Sequence, residues 1–174
     1  LAISAYIAYN LNGKLDYGGM TDINSYYSDY PINKYYLFDH YNCNCSEHGY
    51  KGTFSSGAEL NKTALLSALN EGVSGIGKFH IVYHMDHSAP RLLGASSIDK
   101  LENITVPDVD NLNNGAYQQI FISGGCEPAH FDMDCIAEHY INNPNGGAVA
   151  FIGNANKGWS GEHSQYNVFL QQLY

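Results

Sequence analysis

The chain has 174 residues and an acidic balance, 8 Lys and Arg against 17 Asp and Glu for a formal net charge of −9, which argues against a nucleic-acid surface. Its 44% hydrophobic content is enough for one domain with a real core, and no apolar run approaches the roughly 18 residues of a membrane span. With only 14% of residues charged, solubility rests on an uncharged load that includes 15 Tyr and 18 Gly, together with many Asn and Ser, a composition often met in secreted proteins.

The chain opens on Leu1-Ala2-Ile3-Ser4-Ala5-Tyr6-Ile7-Ala8-Tyr9, inside a strand expected over 2–9 and without the basic start of a signal peptide, and so reads as a piece of a longer polypeptide. Gly-rich loops follow, and Thr21 or Asp22 can cap a helix that runs through Tyr27. A strand is expected at 34–38, and after it a loop that carries His40, Cys43, Cys45 and His48. Cys43 and Cys45 stand too close to pair comfortably with each other, and the loop lacks the Cys-x-x-Cys spacing of structural zinc sites, so no metal is expected there. Sequons at Asn44, Asn61 and Asn103 are unremarkable in an Asn-rich chain and decide little.

Asn61-Lys62-Thr63 opens a helix with apolar positions at Leu65, Leu66 and Leu69 and a stop at Gly72. A strand is expected at 79–83, and a loop rich in Ser, Asp and Asn leads to a second at 118–122. A helix near 133–141 follows; Asn143-Pro144-Asn145-Gly146-Gly147 breaks the chain, 148–153 reads as a buried strand, and the end from about Glu162 to Leu173 as helical. Strands alternating with helices imply an α/β domain around a largely parallel sheet covered on both faces, with functional residues at the carboxyl ends of the strands. No internal repeat or long linker interrupts it.

The two central strands end in reactive residues. Gln119-Ile120-Phe121-Ile122-Ser123 stops at Gly124-Gly125 and presents Cys126, and Phe79-His80-Ile81-Val82-Tyr83 leads into His84-Met85-Asp86-His87-Ser88. If the strands are parallel neighbours, a thiol and an imidazole meet at one sheet edge, as nucleophilic catalysis by a Cys/His pair requires. A thiol in an apolar run can also be a small core residue. His84-Met85-Asp86-His87 superficially matches part of a metallo-β-lactamase signature, but Val82 stands where that signature needs a His, and no second ligand set follows.

Taken in order, these segments resemble the gingipain family of cysteine peptidases. Ala68-Leu69-Asn70-Glu71-Gly72 precedes the strand that leads to His87; Cys126 is followed by Cys135-Ile136-Ala137-Glu138; Gly147-Ala148-Val149-Ala150-Phe151-Ile152 and Trp159 complete the pattern. The resemblance runs from about residue 3 to 170. It departs where Asp86 and Ser88 replace the glycines flanking the family's His, and where the loop after Cys126 is shorter. The family's N-terminal subdomain and trailing immunoglobulin-like domain have no counterpart, so 1–174 resembles the active-site-bearing subdomain, a fragment of a longer secreted protein.

The resemblance implies a three-layer α/β/α caspase-like fold with a central mostly parallel sheet, and a cysteine endopeptidase that is secreted or held at the cell surface. Cys126 is then the nucleophile and His87 the general base and acid, with His84 as the rival imidazole. Gly124 and Gly125 let the backbone approach substrate, and N–H groups of Cys126 and of the turn at Ser88 form the oxyanion hole. Where the family has a carboxylate that orients the His, this chain offers Asn10, Leu11 and Asn12, which leaves a Cys/His/Asn arrangement, with Asn10, or a bare dyad. Asp22, in Thr21-Asp22-Ile23-Asn24, and Trp159 match residues that receive a basic side chain, implying cleavage after Arg or Lys; Asp22 can equally be a helix cap and Trp159 a core residue. No cofactor is required and a structural calcium is compatible with the many acids, though no EF-hand-like loop exists. The partners implied are a protein or peptide substrate, and the rest of a precursor chain or further copies of this one. A different class stays open, a catalytically inactive peptidase-like module in a surface or extracellular assembly.

Overall fold

The computed structural model describes residues 33–38, 56–95 and 102–158. The strand expected at 2–9, the helix expected at 21–27, the Cys43 and Cys45 loop and the terminal helix lie outside the described residues, as do Asn10, Asp22 and Trp159. Among the described residues the chain is mixed α/β with eight strands and three helices. Strands β1 (Tyr36–Phe38) and β2 (Gly57–Glu59) pair in parallel. Helix α1 (Lys62–Glu71) leads to β3 (Ile81–His84), and short strands β4 (Ser88–Ala89), β5 (Leu92–Gly94) and β6 (Asn103–Thr105) follow. Helix α2 (Val106–Asp110), β7 (Gln119–Ser123), α3 (Ile136–Asn142) and β8 (Ala148–Gly153) complete the order.

The local causes are legible in the residues. Asn61 caps α1, its side-chain oxygen accepting the Ala64 N–H at 2.8 Å. Gly72 ends the helix at φ 76°, and a side chain there would strike the Gly77 carbonyl at 2.2 Å, so only glycine fits. Helix α3 starts at Ile136 rather than near 133, because Cys135 is extended and its N–H donates to the Glu138 carboxylate at 3.3 Å.

Strands β3, β7 and β8 form one parallel sheet with β7 in the middle. All four residues of β3 are buried, which explains its unbroken Ile-Val-Tyr-His run without polar alternation. β8 is less covered than a buried strand should be: Ala148 is buried, Val149 is 62% exposed and the rest are half-buried. Among the described residues it stands at one end of the β3-β7-β8 order, as does the fully buried β3 at the other. The stretch read as a Ser-, Asp- and Asn-rich loop instead builds an antiparallel sheet, β4-β5-β6. Its strands are two or three residues long, too short to print a period of two in the sequence.

The core gathers Leu65, Leu69, Val82, Leu93, Ile104, Val109, Phe121, Ile136 and Tyr140. Phe121, central on β7, is fully buried and stacks on Phe151 of β8 with centroids 5.1 Å apart, while Tyr140 of α3 lies 4.7 Å away. This aromatic group locks α3 onto the sheet. Phe121→Ala is therefore expected to lower unfolding free energy by about 3–5 kcal/mol, read from the denaturant midpoint; a loss below about 1 kcal/mol would show that the group is not a keystone.

Candidate active site

The parallel register of β3 and β7 places His84 opposite Ser123, and that of β7 and β8 places Ser123 opposite Gly153. The carboxyl ends of three strands therefore lie side by side at one end of the sheet. His87 lies three residues past His84, and Cys126 three past Ser123, so the two sequence-predicted reactive residues emerge on adjacent loops. The loops touch directly: the Ser88 hydroxyl donates to the Cys126 carbonyl at 2.7 Å. Gly125 is buried, and a Cβ on it would sit 2.2 Å from the Ser88 hydroxyl and 2.6 Å from the Asp86 carbonyl. Its missing side chain makes room for the loop that bears His87.

His87 is exposed, and its N–H donates to the Asp86 carboxylate at 2.6 Å. The same carboxylate is seated on Gly94, where a Cβ would meet it at 2.5 Å. The His87 carbonyl accepts the Gly94 N–H at 2.7 Å. Because a trans peptide points its C=O and N–H in opposite directions, the Ser88 N–H is turned away from β5. Cys126 is half-buried, with its thiol directed at the Gly158 carbonyl, 3.6 Å away. The Gly125 carbonyl accepts from the Asn154 side chain at 2.9 Å, so the Cys126 N–H faces the other way. Among the described residues neither the Cys126 nor the Ser88 N–H has a hydrogen-bond partner.

His84 has another task. It is fully buried, with Nε2 3.0 Å from the Gly94 carbonyl and Nδ1 2.9 Å from the Ser123 hydroxyl. A carbonyl only accepts, so Nε2 carries the proton, Nδ1 accepts, and Ser123 donates to it. The Ser123 oxygen in turn accepts the Gly125 N–H at 3.3 Å. Both ring nitrogens are occupied, which leaves His84 no means of reaching a thiol proton. The imidazole instead ties β3, β5 and the start of the Cys126 loop together.

The structure thus brings Cys126, His87, Ser88, Gly124 and Gly125 into one place. Asn154 belongs with them and was not foreseen; its only sequence signal is an Asn directly after the Gly that ends a predicted strand. Cys135, the second thiol among the described residues, is buried as the residue before α3. No group of three or more His, Cys, Asp or Glu side chains is placed to hold a metal ion among the described residues. No helix among them is long and apolar enough to cross a membrane.

The model of peptidase family C25 matches residues 4–174 of the chain. A solved structure described as that of a protease superposes with a TM-score of 0.60 at 18% identity, covering 92% of this chain and 30% of the other. That likeness bears on the fold, and the chain spans under a third of that protease's length. No curated protein matches the sequence.

Burial lowers the His84 pKa from 6.5 to about 4, against the opposing pull of the Gly94 carbonyl. The unfolded chain takes up a proton below about pH 6.5 while the folded chain refuses it until near pH 4. His84 therefore costs nothing at pH 7 and withdraws about 3 kcal/mol of stability as pH falls across that window. Relative to a His84→Gln variant, the wild-type advantage in unfolding free energy is expected to shrink between pH 7 and pH 4. A pH-independent difference would show that the imidazole is not held neutral.

Proposed function

Because the chain belongs to peptidase family C25, the gingipain family of cysteine peptidases, we propose that it is a cysteine endopeptidase, or the catalytic part of one, working through Cys126 and His87. The observation that carries this reading is the 2.7 Å bond from Ser88 to the Cys126 carbonyl. It ties the residue after the imidazole to the thiol-bearing residue itself. His87 and Cys126, 39 positions apart in sequence, stand on loops that follow adjacent parallel strands.

In the reaction so read, the Cys126 side chain turns about its Cα–Cβ bond from the Gly158 carbonyl toward His87 and gives up its proton to the imidazole. The sulfur attacks the peptide carbonyl carbon, a C–S bond forms, and the carbonyl oxygen takes the negative charge. The N–H groups of Cys126 and Ser88, both without partners among the described residues, are suited to receive that oxyanion. The C–N bond then breaks, the leaving amine takes the proton from His87, and water drawn on by the same imidazole hydrolyses the thioester. The reaction uses only side chains and backbone N–H groups, without a cofactor. A structural calcium would serve the scaffold rather than the chemistry.

Cleavage after Arg or Lys is the specificity we infer, with Asp22 receiving the basic side chain, Trp159 forming a wall and Asn10 orienting His87. The Asp22 and Trp159 assignments rest on the match of Thr21-Asp22-Ile23-Asn24 and Trp159 to the family pattern, and that of Asn10 on its place where the family has the orienting carboxylate. The net charge of −9 is compatible with a basic substrate. The same reading makes the described elements part of a three-layer caspase-like fold, secreted or held at a cell surface, with the rest of a precursor chain or further copies as partners.

The test is labelling of the purified chain with an arginyl acyloxymethyl ketone, with the modified residue located by mass spectrometry. Labelling confined to Cys126 is expected, with Cys126→Ala inert and His87→Ala slower by about 10²- to 10⁴-fold in peptide cleavage. Fluorogenic peptides with Arg or Lys before the scissile bond should be cut faster than those with Ala or Glu. An absence of labelling from about pH 5 to 9, where an activated thiol reacts, would turn the reading toward an inactive module.

A further inference from the structure

Asn154 follows the last residue of β8, and its side chain reaches across to the loop that carries Cys126. One amide nitrogen, with two hydrogens to give, lies 2.9 Å from the Gly125 carbonyl and 3.4 Å from the Gly124 carbonyl. The Gly125 carbonyl and the Cys126 N–H belong to one planar peptide unit. Holding the carbonyl therefore fixes the direction of the N–H. A flip of this peptide, the easiest way for a glycine-flanked loop to lose its aim, has to break the Asn154 bond.

The next peptide is held as firmly, from the β3 loop and again from the β8 loop. Its carbonyl, that of Cys126, accepts from Ser88 at 2.7 Å, and its N–H, that of Glu127, donates to the Asn156 carbonyl at 3.1 Å. Glu127 sits at φ 60°, a conformation that residues other than glycine rarely adopt and that persists where surrounding bonds impose it. Cys126 is thus suspended between two peptide planes of fixed orientation. Gly158 closes over the Asn154 amide: a Cβ there would lie 2.5 Å from the amide nitrogen and 3.1 and 3.3 Å from the two carbonyls.

We propose that Asn154 is a positioning residue for catalysis, aiming the Cys126 N–H at the oxyanion by holding the Gly125 carbonyl from behind. The proposal rests on Cys126 being the nucleophile and gives a side chain of the β8 loop a part in aiming its N–H. An N–H that is already aimed stabilises developing charge without reorganisation at the moment of reaction. Asn154 touches neither substrate nor thiol in this scheme.

The experiment compares reactions that do and do not pass through an oxyanion. Attack on a peptide amide does, and so does capture of a peptidyl aldehyde as a hemithioacetal; alkylation by iodoacetamide displaces iodide at a saturated carbon and does not. In Asn154→Ala, kcat is expected to fall about 10- to 100-fold, somewhat less than the loss seen when an oxyanion donor is removed outright. KM should stay within about twofold, aldehyde inhibition should weaken in parallel with kcat, and Cys126 should alkylate at the wild-type rate. Asn154→Leu, which keeps the bulk of the amide but has no N–H to give, should move the same readouts in the same direction and serves where Asn154→Ala does not fold. Unchanged kcat in a folded variant, or an equal loss in kcat and in alkylation rate, overturns the positioning role while the nucleophile stands. A wild-type chain that neither cleaves peptides nor alkylates selectively at Cys126 overturns the underlying reading and this one with it.

Discussion

The parallel pairing of β3 with β7 puts His84 directly opposite Ser123, and the geometry of the site descends from that register. A shift by one residue would reverse the faces of every side chain on one strand, taking Phe121 out of the aromatic group and Ser123 away from the imidazole. The register is held from both sides. Phe121 requires the core, with Tyr140 and Phe151 against it, and the His84–Ser123 bond requires its partner, because a buried imidazole without one would carry the full cost of desolvation. Apolar and polar demands select the same alignment. The loops that follow then need only three residues each to bring His87 and Cys126 to one place.

Buried amides do much of the remaining work. Asn114, almost wholly buried, donates to the Tyr117 and Gly147 carbonyls and accepts the Gly147 N–H at 2.6 Å. Asn143 donates to the Val109 and Leu112 carbonyls, and Gln119 to the Leu69 carbonyl. These side chains satisfy irregular backbone that has no ladder of its own, at the end of the sheet opposite the candidate site. Asn154 does the same at the reactive end. The Asn-rich composition, which in the sequence looks like a general mark of secreted proteins, thus has a local structural use at several positions. Short strands and tight connections leave many carbonyls for side chains to meet.

How much of this is legible in the sequence follows from length and period. Helix α1 and strands β3, β7 and β8 show plainly, since each is a run of apolar residues ended by Gly, Asn or a polar turn. The neighbourhood of Cys126 and His87 is legible too, because parallel strands leave from the same edge. Strands β4, β5 and β6 are not, being too short for periodicity to register, and their pairing is decided by Leu93 and Ile104 finding the core. His84 reads as a second catalytic imidazole because spacing alone cannot tell an exposed ring from a buried one. Asn154 is invisible for a related reason: its role lies in which carbonyls it meets, and those are 29 and 30 positions away.

The two departures from the family pattern around His87 look, in sequence, like damage to the site. In the fold each substituted side chain has a partner. Asp86 takes the His87 N–H and fills the space above Gly94, and Ser88 holds the Cys126 carbonyl beside Gly125. Glycine in these places would leave the turn free to sample more conformations, an entropy that ordering must overcome. Asp86 and Ser88 reduce that freedom, and the glycines opposite them, Gly94 and Gly125, supply the room they occupy. This complementarity holds the turn beside Cys126 in one defined shape.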